Sequence, residues 1–314
     1  MNSDFDVIGV GACSVDYIGL VNGYPKPDTK NKILQMHVEG GGPVATALVA
    51  LSRLGCKTSY LGKLGTTPLA QAALQGFNDE HVDVSRVTGN DEDAGAAFAF
   101  ILADQSLGQR TIWYSDEHVS RLAPEDLSRR FICSARCLIL DQYEMSAAIQ
   151  AAKWAKEAGV LVELDCEDPD ASRVVELIQH TDVLIVPEYF ALQVSDTTEA
   201  ESAAEYLQKV GPKIVSVTQG KGGSVTIGDE GYFHQPIFEV ETIDTTGCGD
   251  VFHGAFVYGL LQEWPLPSVA EFATAVSSLK SCKLGGRSGI PTFPEVASFL
   301  AARGSPSIKE LLKT

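Results

Sequence analysis

From about residue 135 onward the chain alternates short apolar runs with amphipathic segments, and that rhythm restricts the fold more than any other feature. Residues 137–140 read as a strand, 147–158 as a helix that Gly159 ends, and 160–164 and 183–186 as two further strands; a helix over 200–209 and a strand over 214–218 follow. Buried strands separated by helices form parallel βαβ units, which bind ligands at the carboxyl ends of their strands. Residues 14–39 and 94–115 break the rhythm. They alternate polar and apolar side chains without a helical period, as in Ala96-Ala-Phe-Ala-Phe-Ile-Leu102, and read as strands outside the helical layers. With no repeat, low-complexity tract or long linker, and 45% hydrophobic residues over 314 positions, a single domain spanning 1–314 is expected.

The chemistry concentrates in Asp244-Thr-Thr-Gly-Cys-Gly-Asp-Val-Phe-His-Gly-Ala-Phe256, a nearly side-chain-free turn leading into an apolar helix. Small residues at Gly247, Cys248 and Gly249 let backbone amides approach an anion. The N-terminus of the following helix, which Asp250 is expected to open, adds unpaired N–H groups and partial positive charge. A carboxylate at Asp250 could then take the proton of an attacking hydroxyl. An Asp after Gly-x-Gly is also a common helix cap, and the motif by itself leaves both readings open. A second glycine-rich stretch, Gly40-Gly-Gly-Pro-Val-Ala-Thr-Ala, opens another helix, with Pro43 at its first position and Gly55 at its stop.

These two motifs, in this order and separation, resemble the signatures of the ribokinase-like (PfkB) carbohydrate kinases, with Cys248 where the family pattern has Ala. The resemblance runs over nearly the whole chain, through Asp16 at the end of the opening strand, Gly-Gln-Arg110, and Val217-Thr-Gln-Gly-Lys-Gly-Gly223. The motifs together with Gly285-Gly-Arg-Ser-Gly-Ile-Pro291 look most like the sulfofructose kinase branch. Against that branch, Asp141-Gln-Tyr-Glu144 offers no Arg for a sulfonate.

The resemblance implies a three-layer α/β/α fold with a mostly parallel central sheet and a small β-sheet lid made by 14–39 and 94–115, through which two copies pair. It implies an ATP- and Mg²⁺-dependent transfer of the γ-phosphoryl group to a primary hydroxyl of a small sugar, of the ketose or ketose-derivative type. A nucleoside or sugar-acid kinase, or a non-catalytic sugar-binding relative, are the alternatives. Asp250 would be the base, with the amides of Gly247, Cys248 and Gly249 holding the charge in transfer. Asp16, Gly40, Gly41 and Gly42 would orient the sugar; Asp16 also reads as a loop cap and the glycines as a tight turn. Lys30 and Arg110, in the lid, are candidates for an anionic group on the substrate, or are solvated surface charges. Thr218, Gly220, Gly223 and Thr246 would lie along the nucleotide; Gly220-Lys-Gly-Gly lacks the spacing of a Walker motif. Asp244 and Thr246, with carbonyls near Gly286 and Ser288, match where many relatives hold a monovalent cation such as K⁺. Where many relatives carry Asn-x-x-Glu for magnesium, this chain has Pro187-Glu-Tyr-Phe190, leaving Glu188 as the candidate.

A net charge of −17 argues against nucleic acid or an anionic membrane as partner. No apolar run approaches the ~20 residues that cross a bilayer, and Asp4 and Asp6 stand where a basic leader would be, so a cytoplasmic location is expected. Seven scattered cysteines without a Cys-x-x-Cys pair read as reduced thiols; Cys248, at a helix N-terminus, is expected to be the reactive one. His253 reads as a packing residue. Gly9-Val-Gly11 lacks the third glycine of a dinucleotide fingerprint, Ser14 standing in its place, which sets a nicotinamide enzyme aside.

Overall fold

The computed structural model describes residues 4–89, 95–229 and 231–305. In chain order the strands are β1 (Phe5–Val10), β2 (Ser14–Val21), β3 (Gln35–Gly41), β4 (Thr58–Leu61), β5 (Ala97–Asp104), β6 (Gln109–Ser115), β7 (Ala135–Asp141), β8 (Leu161–Asp165), β9 (Val183–Pro187), β10 (Ile214–Thr218), β11 (Ser224–Gly228) and β12 (Gly231–Gln235). The helices are α1 (Pro43–Arg53), α2 (Pro68–Asp79), α3 (Arg129–Ile132), α4 (Met145–Ala158), α5 (Val174–Gln179), α6 (Glu188–Ser195), α7 (Ala200–Val210), α8 (Cys248–Leu261), α9 (Leu266–Ser281) and α10 (Phe293–Ala302).

Eight strands form one sheet in the order β12-β11-β10-β9-β8-β7-β1-β4, parallel from β10 to β4 and antiparallel at the β11–β12 edge. The apolar runs that looked alike in sequence divide by parity. Val7, Cys137, Ile139 and Ile185 enter a core with α1, α8 and α9, while Ile8, Leu138, Leu140 and Val186 enter a second core with α4 and α7. A strand buried on both faces has no polar alternation, which is why these segments are apolar throughout. The helix over 248–261 is apolar on every side because it lies inside this layer. Gly254 lets it close on α1: a Cβ there would sit 2.6 Å from the carbonyl oxygen of Ala47.

The strands β3-β2-β5-β6 form a separate sheet. Its register puts Asp16, Ala99 and Tyr114 in one cross-strand row and Ile18, Ile101 and Ile112 in the next, on the face toward the site. The opposite face carries the row Val38-Tyr17-Phe100-Trp113, with Val38, Phe100 and Trp113 about half exposed. Residue 94, the expected start of this region's second segment, lies outside the described residues.

Two local expectations need correction. Asp16 does not end the first strand; it is the third residue of β2, already within the small sheet. Gly40 and Gly41 are not a turn but the end of β3, and only Gly42, the N-cap of α1, has a positive φ, of 92°.

Candidate active site

Two cavities meet at the carboxyl ends of the parallel strands. The smaller, about 310 Å³, lies between the small sheet and the start of α1; the larger, about 1000 Å³, runs past the ends of β8, β9 and β10. Arg110, Glu167 and Asp250 border both. A donor in one chamber and an acceptor in the other would therefore face each other across Asp250.

Asp250 sits at the third position of α8, whose N-cap is Gly247 with φ 73°. The helix thus opens two residues earlier than the sequence suggested. A side chain on Gly247 would clash with the backbone, since its Cβ would lie 2.7 Å from the carbonyl oxygen of Gly286. The three amides of the turn are not equivalent. Cys248 N already donates to the carbonyl of Thr245 at 3.2 Å, which corrects its assignment as an anion donor. Among the described residues no backbone acceptor outside the helix holds the amides of Gly247 and Gly249, and these remain for an anion.

The Cys248 thiol is also not the activated group expected. Burial pushes it above its ordinary value, against the pull of Lys280 and Arg110, and Sγ donates to Ser277 O at 3.6 Å. The helix terminus does not outweigh desolvation here.

Burial is the first cause that lifts Asp250 to about 6; repulsion from Glu167 adds to it, while His253 and Arg110 oppose it. A carboxylate with a pKa there is charged at neutral pH yet basic enough to accept a proton. His253, one turn on, is more than packing. Its Nδ1 lies 2.6 Å from Oε1 of Glu163 and its Nε2 lies 3.5 Å from Oδ2 of Asp165. Burial alone would strip its proton, but Asp165, Glu163 and Asp250 together hold its pKa up to about 9. His253 thus sits among three acidic side chains that favour its charged form, while burial lifts Asp165 itself well above the usual carboxylate range.

In the smaller cavity Asp16 is buried and accepts from Ser14 Oγ at 2.7 Å. Burial raises its pKa, with Ser14 and Arg287 pulling it down. Two glycines of the second motif are explained by what stands against them. A Cβ on Gly41 would lie 2.1 Å from Oδ2 of Asp16, and one on Gly40 would lie 2.1 Å from Nη1 of Arg287. Gly42 passes the carbonyl of Ala12, where a Cβ would come to 2.6 Å. Of these three, Gly42 itself lines the cavity. Arg287 is buried, donates to Gly41 O at 3.0 Å, and stacks over Phe77 at 5.5 Å.

Arg110, on β6, lines both cavities and donates to Thr245 Oγ1 at 3.1 Å. Lys30 is exposed and borders neither cavity, so the structure separates the two residues that the sequence paired. Thr218, Gly220 and Gly223 line the larger cavity, whereas Thr246, expected beside them along the nucleotide, borders the smaller one. Gly223 has φ 88°, and a Cβ there would meet Gln235 O at 2.1 Å. Glu188 accepts from Gln219 Nε2 at 2.7 Å and borders neither cavity, which removes it as the magnesium candidate. Glu167 and Asp165 face the larger cavity instead. Asp244 is buried with three hydrogen bonds on its carboxylate: Oδ1 accepts from the amide and hydroxyl of Thr246 at 2.9 and 2.7 Å, and Oδ2 from Gly285 N at 2.8 Å.

Residues 4–293 match the family described as pfkB family carbohydrate kinase. The chain belongs to that family. It is therefore a phosphotransferase with an alcohol group as acceptor. The kinase is 29% identical over 306 residues to the ribokinase of Staphylococcus aureus (strain COL), covering 92% of this chain and 98% of that one. It is 24% identical over 319 residues to the 5-dehydro-2-deoxygluconokinase of Geobacillus thermodenitrificans (strain NG80-2), covering 94% and 93%. In fold the kinase is similar to the Arabidopsis thaliana ribokinase complexed with ribose and ATP, with a TM-score of 0.79, 23% identity, and 96% and 99% of the two chains covered.

Proposed function

We propose that this kinase transfers the γ-phosphoryl group of ATP to a primary hydroxyl of a small, uncharged sugar of the ketose or pentose type. The wall of Asp250, Arg110 and Glu167 between the two cavities carries this reading. The sugar takes the smaller cavity, where Asp16 accepts from its hydroxyls. ATP takes the larger, along Thr218, Gly220 and Gly223. Asp250 removes the proton of the attacking hydroxyl, while the amides of Gly247 and Gly249 and the guanidinium of Arg110 stabilise the charge in transfer.

Charge in the smaller cavity favours a neutral acceptor over a sulfonated or phosphorylated one. Asp16, Asp116, Glu144, Glu167 and Asp250 face Lys63, Arg110 and Arg121. Lys63 is taken by Asp126 at 2.6 Å, and Arg121 is taken by Asp116 and Glu144. Only Arg110 is left for an anion.

Asp165 and Glu167 offer the larger cavity oxygen donors of the kind magnesium prefers. The repulsion from Glu167 that helps lift Asp250 is anionic crowding that a divalent cation relieves. Magnesium bound there would neutralise charge on the β- and γ-phosphates. The exposed row Val38-Phe100-Trp113 on the small sheet supports pairing of two copies through that face. Seven free thiols support a reducing, cytoplasmic location, and no helix among the described residues is long and apolar enough to cross a membrane.

The test is ATP turnover over a panel of fructose, sulfofructose, ribose, 2-keto-3-deoxygluconate, fructose 6-phosphate and a nucleoside, each repeated with Asp250→Asn. One strong neutral acceptor, silenced by the substitution, is expected. A strong preference for an anionic acceptor would overturn the charge argument.

A further inference from the structure

Of the groups that the family resemblance assigns to a monovalent cation, the backbone carbonyls of Asp244 and Thr246 are already taken by a side chain. Lys280, in the last turn of α9, is completely buried, and its Nζ donates to Asp244 O at 3.1 Å and, more closely still, to Thr246 O. Among the described residues it forms no ion pair; its partners are backbone oxygens of the catalytic turn. The side chain of Asp244 is engaged as well, Oδ1 accepting twice from Thr246 and Oδ2 once from Gly285. Potassium does not fit beside an ammonium on the same two carbonyls.

A buried ammonium is costly unless it is paired or hydrogen-bonded, and here two backbone carbonyls supply the hydrogen bonds. The carbonyl of Thr246 and the amide of Gly247 belong to one peptide unit, which is trans like every described peptide, so the two groups point in opposite directions. A cation that draws the Thr246 oxygen toward α9 thereby turns the Gly247 amide away from it, on the side where Thr246 and Gly247 border the sugar cavity. Gly289 keeps the support close: its Cβ would lie 2.3 Å from Lys280 O.

We propose that Lys280 is a tethered replacement for an exogenous monovalent cation, a positioning residue that orients the anion-binding turn by its charge and makes the kinase independent of potassium. The proposal rests on the phosphotransfer reading of this turn but on none of the acceptors named for it.

The experiment compares wild type and Lys280→Met in potassium, sodium, caesium and choline chloride at matched ionic strength. Turnover with the best acceptor of the panel comes first, because it establishes the phosphotransfer reading separately. Wild-type kcat should then be the same in all four salts. Lys280→Met should lose roughly 10²-fold in kcat in choline, the scale of one anion-hole donor, with KM for ATP little changed, and potassium should restore part of the loss in a saturable way. Thermal melting without substrates should show potassium stabilising Lys280→Met and leaving wild type unmoved. Activation of the wild type by potassium would overturn the proposal, as would a variant that is equally active in choline or that no cation rescues. If Lys280→Met does not accumulate in folded form, the wild-type series still decides: indifference supports the tethered cation and activation refutes it.

Discussion

Gly41, which pairs with Ser14 in the β2–β3 ladder, lies diagonally beside Asp16, so close that an ideal Cβ on the glycine would lie 2.1 Å from Oδ2 of the carboxylate. The glycine leaves the aspartate room to stand in the smaller cavity. Gly41→Ala should rotate or displace that carboxylate. A hydrogen bond to a charged group contributes about 1.5–3 kcal/mol, so KM for the sugar should rise roughly 10- to 100-fold. Calorimetric ATP affinity should stay the same, and a parallel loss of ATP binding would refute the assignment of the smaller cavity to the sugar.

Asp250→Asn keeps the shape of the turn and removes the proposed base. Loss of roughly 10² to 10⁴-fold in kcat is expected. In the wild type, a base at Asp250 would work only when ionised, so log kcat/KM should climb as pH rises through about 6 and level off above it. A profile flat from pH 5 to 8 would argue that another group takes the proton.

His253 lowers the pKa of Asp250 through its positive charge, so His253→Gln should move that acidic limb upward, toward neutral pH. The same change leaves buried Glu163 without its charged partner. Removing one member of a buried pair typically destabilises by about 3–5 kcal/mol, so the melting temperature should fall clearly. An unmoved limb with a lowered melting temperature would reduce His253 to a structural residue.

Arg110 is the lid cation that reaches both cavities, and Lys30 reaches neither. Arg110→Gln should lower kcat by roughly 10-fold or more, about 1.4 kcal/mol of transition-state stabilisation. Lys30→Ala should match wild type. Equal effects of the two substitutions would mean that the lid acts by overall charge and not by the contact of Arg110 with the catalytic turn.

Cys248 is a poor nucleophile with a busy amide. Iodoacetamide at pH 8 should label Cys248 no faster than the other half-buried thiols, Cys133 and Cys282, and Cys248→Ala should retain wild-type turnover. Rapid, inactivating modification at Cys248, mapped by mass spectrometry, would contradict the desolvated thiol.

The parts of the site that a reader of the sequence can find are those written in consecutive residues. The turn before α8 announces itself through Gly247 and Gly249, and the start of α1 through Gly42 and Pro43, because tight backbone approach and helix entry demand particular residues at particular neighbours. The strand rhythm from residue 135 onward likewise reflects a local rule. What stayed hidden depends on distant partners. Nothing near Gly40 in sequence mentions Arg287, whose guanidinium fills the missing side chain's space from 247 positions away. His253 looks like any apolar-helix residue until β8 brings Glu163 and Asp165 beneath it. Lys280 looks like an ordinary basic residue in a last helical turn until α9 packs on α8 and aims it inward. Glu188 was drawn in by its place after β9, but Gln219 had a better geometric claim on it.

Because Asp250, Arg110 and Glu167 belong to both chambers, neither substrate meets a wall that is indifferent to the other. Polyphosphate arriving on one side changes the field and the freedom of these same side chains on the far side, so the two affinities are thermodynamically linked. Reciprocity then requires that whatever factor the nucleotide imposes on acceptor binding, the acceptor imposes on nucleotide binding.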